Sequence, residues 1–195
     1  MRRDLISSAL ALLVLTFVLG VAYPLATTGI SQVLWPNKAD GSQVQHDGKT
    51  VGSRLIGQDF KGNRRYFQSR PSATGYSPNV TFFNNLGPNS AELRDLFAAN
   101  LAAYLDLERP YNPALDRGDV PADAVQTAAS GVDPHISQDN AHIQARRVAE
   151  VRDLPLDRVR ELVDENTDGR GLAVFGEPGV NVLDLNLALD EEAPR

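Results

Sequence analysis

The 195-residue chain has no cysteine, one tryptophan, one methionine and three histidines. Without cysteine it can form neither a disulfide framework nor a thiolate metal site, so its core must be held by packing alone. A cysteine nucleophile is excluded for the same reason. The G-x-S-x-G pattern of a serine nucleophile and the H-E-x-x-H pattern of a zinc hydrolase are also absent. The sequence therefore carries no recognised catalytic motif.

Charge is missing from one long stretch near the N-terminus. No charged residue occurs from Leu5 to Asn37. At a rise of ~1.5 Å per residue, the apolar run LISSALALLVLTFVLGVAYPL is long enough to cross a hydrocarbon core of ~30 Å. The apolar core of a cleaved signal peptide is usually only ~7–15 residues long. We therefore expect residues 1–36 to form a short tail and a transmembrane helix.

The basic residues that flank this helix predict its orientation. Arg2 and Arg3 precede the apolar run, and Lys38 is the first basic residue after it. The positive-inside rule then places the N-terminus in the cytoplasm and the rest of the chain outside. We expect a single-pass protein of a bacterial-type cell membrane.

About 160 residues follow the helix, enough for one domain. The polar, glycine-containing range 37–52 is interpreted as a linker and 53–195 as the domain. Without Arg2, Arg3 and Asp4 the chain carries 17 basic and 24 acidic side chains, a net charge of about −7. Nucleic-acid binding requires a basic surface, so this charge argues against nucleic acid as a partner.

Periodicity and turn residues predict a mixed α+β domain. Asn89 or Ser90 is expected to cap a helix that ends near Pro110, because Leu93, Leu96 and Leu101 fall at helical spacing. The other elements are predicted from apolar runs and from Gly, Pro and Asn boundaries. They are strands or a hairpin in 53–60 and 65–72, a long ordered loop over 73–89, a short helix in 120–130, helices over 137–152 and 155–167, and a final strand in 171–190.

The segment from 130 to 152 holds two of the three histidines. Asp133, His135, Asp139 and His142 are residue types that bind divalent metals. The two histidines do not have the i, i+4 spacing of a helical metal site, and Arg146 lies one turn after His142, where its charge opposes a cation.

A structural interpretation of the same segment needs no metal. Asp133 and Pro134 favour a turn, and Ser137 is placed to cap the following helix. We therefore expect the DPHIS segment, residues 133–137, to be structural and interfacial. The alternative is a stand-alone, membrane-anchored extracytoplasmic domain that uses this segment for metal binding or hydrolysis.

Six motifs occur in order along nearly the whole chain: the apolar start, GSRLIGQDF, YFQSRPSATGY, NNLGPNSAEL, SGVDPHIS with QARRVAEVR, and FGEPGVNVLDLNLAL. Together they resemble the C subunit of the Kdp-type high-affinity potassium-transporting P-type ATPase. The resemblance implies two partners, a channel-like subunit that moves potassium and a P-type subunit that hydrolyses ATP. The D-K-T-G-T motif of the hydrolytic subunit is absent from this chain.

The resemblance further implies an accessory role in assembly and, as a catalytic chaperone, in raising the ATP affinity of the P-type subunit. ATP is implied only by the resemblance, without a site in this sequence, and potassium is the ion that the complex transports. We expect no catalytic residue, metal ligand or resident cofactor in this chain. The candidate partner contacts are Gly20, Ala22, Ala26, Arg70, Asn84, Asn85, Asn89, Asp133, His135 and Ser137.

Overall fold

The computed structural model describes residues 1–60, 62–80, 82–172 and 174–192. Its internal contacts divide the chain into two units, Met1–Gln43 and Val44–Arg195. The first unit contains a continuous 33-residue helix, Arg2–Leu34, that is long and apolar enough to cross a membrane. The expected N-terminal apolar helix is therefore present.

This helix is α1 (Arg2–Phe17) and α2 (Tyr23–Leu34), joined by a π-helical segment, Val18–Ala22. Pro24 explains the π segment: it has no N–H to donate to the carbonyl of Gly20, and its ring crowds that carbonyl. Widening the preceding turn relieves the clash without ending the helix. One further turn, α3 (Pro36–Ala39), follows.

The range predicted as a linker contains two paired strands, β1 (Gln43–His46) and β2 (Lys49–Ser53). Asp47 and Gly48 form the connection and both have positive φ, 51° and 72°. A two-residue Asp-Gly connection with two positive φ angles is the turn that hairpins prefer. The Asp-Gly pair was the sequence signal for this hairpin.

The strands predicted in 53–60 and 65–72 are wrong beyond Ser53. The described residues of 54–60 and 62–72 form turns and extended backbone outside any strand. Their backbone groups are paired by side chains instead. Asn186, for example, accepts from the Phe67 N–H at 2.8 Å and donates to the Phe67 carbonyl at 3.0 Å.

The three long helices of the domain match their predicted positions. They are α4 (Ala91–Glu108), α5 (Gln138–Arg152) and α6 (Leu156–Glu165). The Ser90 hydroxyl accepts from the Leu93 N–H at 3.2 Å and so caps α4. Where a short helix was predicted over 120–130, the structure has only a single 3₁₀ turn at Ala122–Ala124, after another at Arg117–Asp119.

The final strand predicted in 171–190 is wrong over most of its length. Strand β5 covers only Gly179–Asn181, and α7 (Val182–Glu192) follows at once. Val182, Leu185 and Leu189 are buried, which is the i, i+3, i+7 spacing of a helix face. The leucines also alternate along the sequence, so this helix was predicted as a strand.

Strands β3 (His135–Ile136), β4 (Thr167–Asp168) and β5 form an antiparallel sheet in the order β3-β5-β4. The core lies between this sheet and helices α5, α6 and α7. Its buried apolar residues are Phe67, Ile136, Ala141, Ala145, Val148, Ala149, Val159, Leu162, Val163, Val180, Val182, Leu185 and Leu189.

A charged side chain lies at the centre of this domain. Arg147 is fully buried, and its Nε donates to Glu108 at 2.9 Å. Its Nη1 donates to the backbone carbonyls of Arg64, at 2.6 Å, and Tyr66, at 2.9 Å. Its Nη2 donates to the side-chain carbonyl of Gln144 at 3.0 Å. The guanidinium thus fixes irregular backbone that strand pairing does not reach.

The charge of Glu108 depends on Arg147. Burial raises the pKa of Glu108, and the charge and hydrogen bond of Arg147 act in the opposite direction. One turn earlier on α4, burial raises the pKa of Tyr104, whose hydroxyl donates to Asn140 at 2.9 Å. A polar network therefore joins α4 and α5 across the interior.

Replacing Arg147 with Met is expected to lower the free energy of unfolding by about 3–5 kcal/mol, because it leaves the buried Glu108 carboxylate without its ion-pair partner and removes one hydrogen bond from each of the Arg64 and Tyr66 carbonyls. Urea unfolding of the full-length protein in detergent micelles measures this loss. The deficit should shrink as the pH falls toward ~4, since burial favours protonated Glu108 once Arg147 is gone.

Arg158→Met is the matched control. Arg158 forms exposed ion pairs with Glu161 and Glu192, so its loss should change the free energy of unfolding far less than the loss of Arg147. Equal losses in the two variants would contradict a central role for Arg147.

Candidate partner-contact site

The DPHIS segment rests against two earlier loops. The Gly57 N–H donates to the Val132 carbonyl at 2.8 Å, and a Cβ on Gly57 would collide with the Asp133 carbonyl. Gly131 has φ of 75°, and a Cβ there would lie 2.8 Å from the Thr74 hydroxyl oxygen. Glycine at 57 allows the close approach of two backbones, and glycine at 131 allows the positive φ beside the Thr74 side chain. The loops around 57 and 74 therefore pack closely against the backbone that leads into the segment.

Asp133 joins the segment to Arg70. One carboxylate oxygen accepts from the His135 N–H at 3.0 Å, which closes the turn expected at Asp133 and Pro134. The other accepts from Arg70 Nη1 at 3.0 Å. Both side chains are partly exposed. The pair thus fixes an arginine at the surface.

His135 joins the segment to the sheet. Its Nε2 lies 2.9 Å from an Asp168 carboxylate oxygen on β4. A Cβ on Gly179 of β5 would lie 3.2 Å from the His135 Cβ, so the absent side chain makes room for the imidazole. We call Arg70, Asp133, His135 and Asp168 the DPHIS cluster. It joins three segments that are far apart in the sequence.

Ser137 begins α5 and connects it to the preceding turn. Its hydroxyl accepts from the Asn140 N–H at 3.2 Å and donates to Asp123 at 2.7 Å. Asp123 also accepts from the Ser137 N–H at 2.8 Å and from the Asn140 side chain at 3.0 Å. The cap was predicted, but Asp123 was not, because nothing local marks its pairing with residues 14 to 17 positions later.

Tyr76 orders the backbone beside Arg70. Its hydroxyl donates to the Arg70 carbonyl, and burial, with a further contribution from the Asp59 carboxylate, raises the pKa of Tyr76 well above its usual range. The Ser72 hydroxyl accepts from the N–H groups of Thr74 and Tyr76 and donates to the Gly131 carbonyl. This part of the predicted ordered loop is held by specific hydrogen bonds.

The remaining predicted contact residues lie elsewhere. Asn84, Asn85 and Asn89 are exposed, and no hydrogen bond joins their amides to the DPHIS cluster within the described residues. Gly20, Ala22 and Ala26 belong to the N-terminal helix, where they are exposed as well. The structure thus brings together Arg70, Asp133 and His135 but not the three asparagines.

The metal and hydrolytic alternatives depend on free ligand or nucleophile groups in the same segment. Asp133 is bonded to Arg70 and to the backbone of His135, and His135 is paired with Asp168. Asp139 is exposed in the first turn of α5, and His142 is half-buried one turn later. Across the residues that the structure describes, no group of three or more His, Asp or Glu side chains could hold a metal ion. The cluster is arranged to position polar groups at a surface.

Within the described residues, the chain combines one helix that is long and apolar enough to cross a membrane with a mixed α+β domain, which is the architecture of a membrane-associated protein. Residues 5–191 match the family model described as KdpC, K⁺-transporting ATPase, c chain. The chain therefore belongs to the KdpC family and is a subunit of a potassium-transporting ATPase.

Relatives named as KdpC subunits match all or most of the chain. The potassium-transporting ATPase KdpC subunit of Rhodospirillum rubrum is 47% identical over 196 residues, 100% of this chain and 98% of the relative. That of Bradyrhizobium diazoefficiens is 44% identical over 209 residues, 100% of both chains. That of Caldanaerobacter subterraneus is 44% identical over 180 residues, 92% of this chain and 91% of the relative.

Replacing Ser137 with Ala is expected to lower the free energy of unfolding by about 1 kcal/mol, the usual cost of a lost helix cap. Urea unfolding of the full-length protein measures the loss. Ser137→Thr is the control, because it keeps an oxygen that can accept from Asn140, and it should retain most of the stability. A Ser137→Ala protein as stable as the wild type would contradict the capping role.

Proposed function

We propose that this chain is a non-hydrolytic assembly subunit that stabilises the potassium-transporting complex through its surface contacts. The observation that carries this proposal is the DPHIS cluster. Its four side chains come from loops and strands far apart in sequence: Arg70 is paired with Asp133, and His135 is hydrogen-bonded to Asp168. These contacts fix the shape of a polar surface, which suits recognition of another protein.

The partners follow from the family to which the chain belongs. We propose contacts with a channel-like potassium-translocating subunit and with a P-type ATP-hydrolysing subunit. The exposed segment 84–89 adds Asn84, Asn85 and Asn89, which offer amide donors and acceptors without charge. An uncharged polar rim of this kind is common around protein interfaces.

The membrane helix supplies a second contact region. Arg2 and Arg3 before it favour a cytoplasmic N-terminus, which would place the domain outside a bacterial-type cell membrane. Ala22 and Ala26 lie one helical turn apart, and Gly20 precedes them in the π segment. Small residues at this spacing allow helices to approach closely in a bilayer. We propose that this face packs against helices of the other subunits.

An effect on ATP affinity would then be indirect. A domain outside the membrane does not meet cytoplasmic ATP. A rise in the ATP affinity of the P-type subunit, as implied by the family, would pass through the assembled complex. ATP and potassium therefore belong to the complex as a whole in this proposal.

Replacing Arg70 with Ala in the intact complex is expected to reduce growth on limiting potassium and the amount of complex recovered from native membranes. Arginine is among the residues whose truncation most often weakens a protein interface, typically by about tenfold or more. Recovery of the other subunits with the tagged chain, together with growth rate, measures the effect.

Arg109→Ala is the matched control, because Arg109 is also a surface arginine beside an aspartate, Asp116, at 3.8 Å. It should leave recovery and growth near wild type. Normal recovery with Arg70→Ala would remove this residue from the interface, whereas a wild-type chain that recovers no other subunit would refute the assembly role itself.

A further inference from the structure

A small hairpin projects from the sheet between β4 and β5. Gly171 and Phe175 are bridged by two backbone hydrogen bonds of 2.8 Å, and Val174 N–H donates to the Gly171 carbonyl at 3.1 Å. At its base Arg170 and Glu177 form an ion pair of 2.7 Å. The hairpin therefore has a closed base, and we call its described residues, 169–172 and 174–177, the apolar hairpin.

Large apolar side chains occupy its tip. Leu172 is 88% exposed, and Val174 and Phe175 are each 67% exposed. They contribute almost nothing to the core of their own domain. Three such side chains within four residues form a compact apolar projection, which is more than the single scattered hydrophobic residues normal at a surface.

The backbone conformation at Leu172 is unusual for a leucine. Its φ is 50°, in the left-handed region that a branched side chain rarely adopts. Asparagine or glycine would occupy this turn position with less strain. Leu172 is mostly exposed and so adds little packing energy to its own domain. We infer that this leucine contacts another molecule.

The charges near the hairpin indicate whether its apolar tip would bind a lipid bilayer or a protein. From residue 164 to 177 the sequence has four acidic residues and one basic residue. Anionic lipid headgroups repel a segment with this balance. A protein pocket with an apolar floor and a polar or basic rim matches both the tip and its surroundings.

The base of the hairpin is joined to the sheet and to the DPHIS cluster. Asp168 and Gly179 are register partners in the sheet, directly beyond the two ends of the hairpin. His135 pairs with Asp168 and packs over Gly179. A rigid support reduces the entropy lost when a projection enters a pocket.

We propose that the apolar hairpin inserts into an apolar pocket, rimmed by basic or neutral side chains, on another protein chain of the same ATPase. The inference rests on the proposed assembly function and adds to it a specific surface and the chemistry of the surface it meets. Leu172 and Phe175 are the central contacts.

Leu172→Asn tests the contact without straining the turn. Asparagine suits a positive φ, so the thermal stability of the full-length chain should be unchanged or higher. Recovery of the other subunits from membranes should fall by about tenfold, as expected when a central apolar contact is removed. Leu55→Asn is the control, because Leu55 is 61% exposed outside the hairpin and should recover the complex normally. Normal recovery with Leu172→Asn would overturn the proposal.

Crosslinking identifies what the tip touches. A photoreactive phenylalanine analogue placed at Phe175 in the intact complex should crosslink to another polypeptide. Adducts with lipid alone, or none, would overturn the proposal. These outcomes are distinct from failure of the assembly function, in which the wild-type chain itself would recover no partner.

Discussion

The buried guanidinium of Arg147 is the interaction on which the rest of the domain depends. It is bonded at once to a carboxylate, two backbone carbonyls and a side-chain amide. Breaking a buried ion pair leaves an uncompensated charge, which makes such contacts far more costly to lose than surface pairs. Gln144, one turn earlier, accepts from the Gln68 N–H at 2.7 Å and donates to its carbonyl at 3.2 Å. Side chains of helix α5 therefore make the hydrogen bonds to the backbone of residues 64, 66 and 68 that a neighbouring strand would otherwise make.

This arrangement determines where the surface cluster can form. Two residues after Gln68 the chain reaches Arg70, whose partner Asp133 lies just before α5. Helix α5 thus binds the backbone two residues before Arg70 through Gln144, and Asp133 lies four residues before the helix cap, Ser137. Because His135 also pairs with Asp168, the support extends through the sheet to the base of the apolar hairpin. The interior network and the proposed contact surfaces are parts of one framework.

The sequence predicted what local forces determine. Helices α4 and α5 begin at serine caps and α6 follows a proline, and all three were confirmed. The segments 53–60 and 65–72 were predicted as strands because the side chains that bond their backbone, such as Gln144 and Asn186, lie 76 and 119 residues away in the sequence from Gln68 and Phe67. Helix α7 was predicted as a strand because Leu183, Leu185, Leu187 and Leu189 satisfy an alternating pattern as well as a helical one. The turn at Asp133 was predictable from Asp-Pro, whereas the Asp168 and Asp123 partners of this region carry no local signal.

The central claim is that the DPHIS cluster serves contact between chains rather than chemistry. The most direct test is the ATPase turnover of the intact complex carrying His135→Ala, divided by the amount of complex assembled. We expect total activity to fall only as far as assembly falls, so that turnover per assembled complex stays near wild type. A loss of about a thousandfold in a fully assembled complex, the scale expected for a general acid or base, would contradict it.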